Sequence, residues 1–380
     1  MLTGLQSIRQ LVPNTQLLLV IYDSTKYPHK GETAMSLINK DRESTTRRGF
    51  IKEVAVGAAG VAAAAGSLGA SEAASAPIAQ ARKGSKYGNL VKSIPYQYWQ
   101  GPYRQLAAMN GNFLNNEIHV QFGTPAVAGI IGTDTPEVHD FDQVMIFMGS
   151  DPTNLGDLGA EIEFCIGPEK EPHMVTASQA VFIPKGLAHL PATILRMDRR
   201  FIVMTISHAR ELRATPAPAA AKEYTGEPVG FMSKSQYRTN FPTMLWERKS
   251  AWHYGSRNRD DAGGYITSIS NRDIGFSMLC EGINKGPYRF GDPYKPHVHN
   301  YDEFLICMGA DCNDLGPLGG EIVFDMGEEM EPHTFTTSTV VMPPAKLPHC
   351  PEVVTRVDKP FIFIVLHAFG QPQAPAKKEA

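Results

Sequence analysis

The chain has 380 residues, 42% of them hydrophobic and 20% charged, with a formal charge of -3 at pH 7. That is enough apolar material for two ordinary globular domains. So small a charge offers nothing to hold nucleic acid or an anionic membrane, and both classes of partner are excluded as expectations.

Residues 1–34 are expected to lie outside the native protein. Met35 is expected to serve as the start, because Lys30-Gly31-Glu32 is encoded by codons able to spell a purine-rich ribosome-binding site just before it. A peptide from within 1–34 in the mass spectrum of the precursor would exclude this reading. Further on, Thr45 to Lys52 reads Thr-Thr-Arg-Arg-Gly-Phe-Ile-Lys, and an Ala/Gly-rich run follows from Val54 to Leu68. That run is too short and too small-sided for a lasting membrane span. The paired Arg47 and Arg48, then an aromatic, an aliphatic and a lysine, resemble the twin-arginine export signal. Residues 35–81 are therefore expected to be a signal peptide cut after Ala79-Gln80-Ala81. The resemblance implies the twin-arginine export machinery as a partner and a periplasmic or secreted location. That route suits a protein that loads its metal before export, away from competing ions.

Five cysteines, an odd number, are Cys165, Cys280, Cys307, Cys312 and Cys350, and no disulfide framework is expected of them. Cys165, Cys280 and Cys307 fall in strand-like runs and read as small core residues. Cys350, beside His349, reads as packing before pocket lining.

From Glu117 onward the chain is a series of short apolar runs bounded by Gly, Pro, Asp or Asn. Val144–Met148, Ala160–Cys165, Gln179–Ile183 and Phe201–Ile206 are predicted strands, and Phe304–Met308, Gly320–Phe324, Thr339–Met342 and Phe361–Leu366 match them. The match is a duplication. Pro136–Ile206 recurs as Pro296–Leu366, 160 positions on and without a gap, with 31 of 71 positions identical. The boundaries predicted from it are a first barrel over 82–213, an Ala/Pro-rich linker over 214–240, a second barrel over 241–370, and a mobile tail over 371–380. Lys83–Gly111 should lead into the first barrel. Phe241–Gly264, with Trp246, Trp252 and His253, should cover a barrel or form a dimer contact, and homo-oligomerisation stays open.

The two copies differ where chemistry is expected. Glu137 becomes His297 and Gln143 becomes Glu303, so the second copy reads His297-x-His299-x3-Glu303 with a distant His349. Residues two apart on a strand share a face, so both imidazoles aim into one interior and Glu303 can join them. His349 follows a strand that an antiparallel neighbour would bring across. Three neutral nitrogens and a carboxylate leave two positions of an octahedron open for substrate and for water or dioxygen. One divalent transition metal, Fe, Mn, Ni, Co or Zn, suits the set.

The spacing Gly291-x5-His297-x-His299-x3-Glu303-x5-Gly309 resembles the first cupin motif, one residue short at its last interval. Pro184-Lys185-Gly186-Leu187-Ala188-His189 resembles the second. In the second copy that motif reads Pro344-Ala345-Lys346-Leu347-Pro348-His349, with lysine where glycine eases the turn. The asparagine usual downstream is absent from both copies, and Leu-Gly-x-Leu-Gly runs at 155–159 and 315–319 lengthen the segment between motifs. Covering nearly all of the mature chain, the resemblance is to a bicupin. It implies an all-β fold of two tandem cupin (double-stranded β-helix, or jelly-roll) barrels.

The resemblance implies a metal on His297, His299, Glu303 and His349, with Glu303 as the catalytic candidate, ligand first and proton acceptor second. Glu137, His139, Gln143 and His189 of the first copy form a possible second site. A degenerate or polar-ligand pocket is favoured there, because glutamine is a weak neutral ligand. His173 and His333, each following Glu-Pro, read as elements of the fold, and His253 as a lid candidate. Bicupins that decarboxylate oxalate carry an arginine three residues before the first metal histidine. Here that position is Tyr294, and Asp134 in the first copy, so oxalate is not expected, and Tyr288, Tyr294 and Tyr301 suggest aromatic pocket walls. Fold alone does not fix a reaction. The expected function is a metal-dependent enzyme acting on a small oxygenated organic substrate, with a dioxygenase-like reaction favoured. A metal-dependent isomerase, lyase or decarboxylase, and a non-catalytic extracytoplasmic binding protein, are the alternatives.

Overall fold

A strand buried on both faces reads as an unbroken apolar run, since neither face meets water. Every residue of Gln143–Gly149 and of Phe304–Gly309 is buried, and the fold is organised around that pair. The computed structural model describes residues 84–98, 102–220, 222–230, 234–246, 266–271, 273–290 and 296–367. Residues 1–34, the expected signal peptide over 35–81, the expected tail over 371–380, and Trp252, His253, Gly291 and Tyr294 lie outside the described residues. No helix among the described residues is long and apolar enough to cross a membrane.

In chain order the first half holds β1 (Val91–Ser93), β2 (Tyr96–Tyr98), β3 (Tyr103–Met109), β4 (His119–Pro125), β5 (Gly129–Ile131), β6 (Glu137–Val138), β7 (Gln143–Gly149), β8 (Ala160–Ile166), β9 (Glu171–Val175), β10 (Gln179–Ile183), β11 (His189–Met197), β12 (Phe201–Ser207) and β13 (Thr215–Pro216). The second half holds β14 (Ile266–Asn271), β15 (Phe276–Ile283), β16 (Tyr288–Phe290), β17 (Phe304–Gly309), β18 (Pro317–Met326), β19 (Glu331–Thr337), β20 (Thr339–Val341), β21 (His349–Val357) and β22 (Phe361–His367).

The strands form two tandem β-barrels, each a jelly roll of two sheets. The first barrel pairs β10-β7-β12-β4-β3-β2 in one sheet and β13-β6-β11-β8-β9 in the other, with β5 beside β11. The second pairs β1-β20-β17-β22-β15-β14 and β16-β21-β18-β19. Alternation along β7 divides the core. Met145 and Phe147 fill the first barrel with Phe164 and Phe201. Val144, Ile146 and Met148 point out of it, onto Phe304, Ile306, Met308 and Ile364 of the other half. The barrels thus bury a shared apolar seam, tight enough that Cys280 Sγ lies 3.3 Å from Met148 Sδ. A Cβ at Gly282 would sit 1.9 Å from the Pro152 carbonyl oxygen, so only glycine fits there. All five cysteines are free and buried, and Cys165, Cys280 and Cys307 lie in strands, as their apolar runs suggested.

The segments preceding the barrels cross over. Residues 85–93, placed by the sequence in the first barrel, lie on the second, where Val91–Ser93 pairs antiparallel with Thr339–Val341. Residues 235–241, from the end of the expected linker into the expected second barrel, lie on the first, where Phe241 joins the interior cluster. Each segment carries Ser-x-Tyr against the same Glu-x-Glu-Pro-His edge. Ser85 and Ser235 donate to Glu331 and Glu171, and Tyr87 and Tyr237 donate to Glu329 and Glu169. Gly167 and Gly327, with φ of 80° and 79°, leave room for those tyrosine hydroxyls. His173 Nε2 lies 2.9 Å from Glu171 Oε1, and its ring stacks on Phe241 with centroids 4.3 Å apart. His173 thus meets its strap, His333 Nε2 lies 3.3 Å from Glu331 Oε1, and both histidines lie outside the two ligand groups.

Candidate metal centre

His297 and His349 face each other across an isolated antiparallel bridge, with His297 N to His349 O at 3.0 Å and the return bond at 3.1 Å. The same pairing in the first barrel joins Glu137 of β6 to His189 of β11. The turn before His349 is held by Lys346 N donating to His299 O (2.7 Å) and Leu347 N to Pro344 O (3.1 Å). Lys346 takes φ of 67°, near the 80° of Gly186, so lysine adopts the left-handed turn despite its Cβ.

The ligand atoms of His297, His299, Glu303 and His349 all lie within 4.8 Å of one another. Ring centroids of His297 are 4.8 Å from His299 and 4.5 Å from His349. Glu303 and His349 are buried, and His297 and His299 partly so. Nδ1 of His349 donates to the Leu347 carbonyl (2.8 Å), which leaves Nε2 to face Glu303 Oε2 at 3.0 Å. A ring with its other nitrogen so committed meets a carboxylate favourably only if positive charge stands between them, a proton or a cation. His299 Nδ1 pairs with the Tyr301 hydroxyl (3.1 Å), orienting that ring in the same way.

A fifth residue belongs here. His367, the last residue of β22, brings Nε2 to 2.8 Å from Glu303 Oε1. Glu303 is therefore held from both oxygens. Burial alone would raise its pKa, and the hydrogen bonds from His349 and His367 overcome this and hold the carboxyl well below its ordinary value. His299 is shifted down, chiefly by burial. His367 was not among the residues expected, because it lies one position beyond the repeat, which ends at Leu366. Its counterpart 160 positions earlier is Ser207, and that polar difference was the available signal.

The first barrel offers Glu137, His139 and His189 as a group that could hold a cation. His139 Nδ1 is tied to the Arg213 carbonyl (2.8 Å) and His189 Nδ1 to the Leu187 carbonyl (3.0 Å). Both Nε2 atoms are buried and lack a hydrogen-bond partner, 3.4 and 3.9 Å from Glu137 Oε1. Gln143 donates to Ser207 Oγ at 3.1 Å, and its Oε1 is likewise buried and unpartnered. Burial depresses His189 to about 4, so it stays neutral at pH 7 with a lone pair available. These orphaned atoms fit a cation no less than a polar ligand. Of the other expected residues, Asp134 is exposed, Tyr288 lies in β16, and His253 and Tyr294 fall outside the described residues.

No protein-family model matches the sequence, and no curated protein matches it. Among solved structures, the oxalate decarboxylase of Bacillus subtilis, with Mn(II) centres, is 10% identical, with TM-score 0.48, over 75% of this chain and 78% of that one. Vicilin from hazelnut (Corylus avellana) is 10% identical with TM-score 0.47, over 74% of this chain and 86% of that one. AerE from Microcystis aeruginosa is 11% identical with TM-score 0.42, over 74% and 99%. At such distances activity does not transfer; the double-barrel fold stands on the strand pairing above.

Proposed function

We propose that the protein is a metal-dependent enzyme of the double-cupin fold acting on a small oxygenated organic molecule, with His297, His299, Glu303 and His349 holding one divalent cation. The observation that carries this reading is the gathering of four ligand atoms within 4.8 Å, two of the histidines oriented by their second nitrogen. Such a cation supplies Lewis acidity and, if iron or manganese, a redox centre. The chain's own residues do the rest. The partly buried His297 and His299 lie on the more open side of the group, where a substrate oxygen would enter. Tyr301, stacked on His299 with centroids 4.9 Å apart, is a wall. A dioxygenase-like reaction, with dioxygen beside the substrate, is the first reading.

A second reading is proton-transfer chemistry, as in an isomerase, lyase or decarboxylase. It is favoured by Glu303 and His367 standing 2.8 Å apart, a carboxylate–imidazole pair able to hold a proton at Oε1 or Nε2. Elemental analysis of protein purified after native export tests the cation. Oxygen consumption in a screen of small hydroxy-, keto- and carboxylic acids then separates the readings: uptake with turnover selects the first, turnover without uptake the second. Metal-free protein with no cation affinity would end both. Folded export to the periplasm or outside is proposed with it, on the Thr45–Lys52 motif, and cell fractionation with and without Arg47→Lys plus Arg48→Lys is the check.

A further inference from the structure

One layer below the ligand group the second barrel departs from the first. In the first barrel this layer is apolar: Phe147 on β7, Ala192 on β11, Val203 on β12 and Phe164 on β8 are all within the interior cluster. Their counterparts are Cys307, Glu352, Phe363 and Phe324. Glu281, opposite Phe363, takes the place that Gly123 holds opposite Val203. A large ring and a methyl have been exchanged for a thiol and a carboxyl, and a second carboxyl stands near.

The backbone explains how Glu352 points inward. His349 pairs with Met326 and Glu352 with Phe324, so β21 advances three residues while β18 advances two. The bulge turns two residues of odd separation onto one face. The same shift in the first barrel, His189 opposite Ile166 and Ala192 opposite Phe164, aims only a methyl into the interior.

Glu352 is 1% exposed. Its Oε1 accepts the Cys307 S–H at 3.5 Å, and its Oε2 is buried without a partner among the described residues. The titratable groups that face it are Cys307 on β17, Glu303 before it and Glu281 on β15, with Phe324 on β18 and β16 alongside. Arg289 of β16 stands opposite Val353, one residue along from Glu352, and among the described residues no cation acts on the Glu352 carboxyl. A buried carboxylate with acid neighbours and one weak donor is costly, whereas the carboxylic acid is not. Burial, aided by Glu303 and Glu281, pushes Glu352 up to about 8. Among the described residues, Glu352, Cys307 and Glu281 are not gathered closely enough to hold an ion themselves, which leaves a proton as the occupant.

We propose that Glu352 is an internal acid of the second barrel, which carries a proton in the cation-free protein and releases it when a divalent cation enters the His297, His299, Glu303 and His349 centre. The inference rests on the proposed function for its second half only. The step is an ionisation: the Glu352 O–H bond breaks, its electron pair stays on the carboxylate, the proton goes to solvent, and nothing is oxidised. Its cause is charge. A divalent cation with three neutral imidazoles and the Glu303 carboxylate leaves one positive charge in the barrel, and ionised Glu352 cancels it.

The test uses the full chain stripped of metal. Infrared difference spectra between wild type and Glu352→Gln at pH 7 should contain a protonated-carboxyl band belonging to Glu352, and Glu281→Gln should leave that band in place. Mn(II) or Zn(II) titrated in two buffers of different ionisation enthalpy should release about one proton more per cation from wild type than from Glu352→Gln. Should Glu352→Gln fail to fold, Cys307→Phe with Glu352→Ala restores the apolar pair of the first barrel and should lose both signals. Absence of the band, or equal proton release from the wild type and variants, would overturn the proposal. A band that is present in protein with no affinity for either cation overturns the proposed function and the coupling, and keeps the buried acid.

Discussion

At the floor of the first barrel Phe147 and Ala192 belong to one apolar interior cluster; at the same depth in the second, Cys307 donates to the carboxyl of Glu352. Above these floors the contrast repeats. Gln143 hydrogen-bonds Ser207 in one barrel, while Glu303 is gripped by His349 and His367 in the other. The strand frame, the turns at Gly186 and Lys346, and the straps are common to both. The difference teaches which parts serve folding and which serve chemistry. Apolar layers lower the free energy of the fold, whereas buried acids raise it by roughly 1–3 kcal/mol unless paired, so acids kept in one copy are explained by function, not by stability.

The largest effect expected is on the second centre. His297→Ala with His349→Ala should abolish cation binding there, read as loss of that equivalent by elemental analysis, while the circular dichroism of the all-β fold is retained. Undiminished metal would dismiss the assignment. The reverse change sharpens the comparison: Glu137→His with Gln143→Glu should confer on the first barrel the ligand types of the second. Its affinity for Mn(II) or Zn(II) should rise at least tenfold in calorimetric titration.

Smaller still is the effect of His367→Ala, which leaves all four ligands in place and frees Glu303 Oε1. Loss of such an orienting partner typically weakens metal affinity about 10- to 100-fold, and an unchanged affinity would place His367 outside the centre. The smallest expected effect concerns stability. His119 of β4, buried with no partner for either ring nitrogen, is depressed by burial to about 4; Ser277 of β15 is its counterpart by register. The unfolded chain therefore takes up a proton near pH 6.5 while the folded one does not. Stability should be full above about pH 6.5 and fall toward pH 4, by at most about 3 kcal/mol from this residue. His119→Gln should flatten that part of the denaturation profile, and an identical slope in both proteins would contradict the account.

The duplication made most of the frame legible. Runs such as Val144–Met148 and Phe304–Met308 are strands because alternate faces meet two different cores, whereas His297, His299 and Glu303 converge without lying on one strand: His297 is held by its bridge to His349, and the other two lie between that bridge and β17. His349 was legible as the end of a repeated turn. His367 was not, since it lies one residue beyond the repeat, and register alone brings it beside Glu303. Glu352 was hidden for another reason: its inward aim depends on a bulge that period-two reading cannot foresee. The straps were missed as well. Ser85-Lys86-Tyr87 and Ser235-Gln236-Tyr237 are short, and nothing local says that each docks on the barrel it does not precede.

What the amino-acid order settled by itself was the doubled all-β plan and the residue types of one ligand group, because side-chain period and self-similarity are local properties of a chain. What only the tertiary structure decided was which distant side chains meet: the exchange of straps, the second hold on Glu303, and the acid beneath it. Those contacts are set by strand register and by the packing of two curved sheets, and neither is written in any short stretch of sequence.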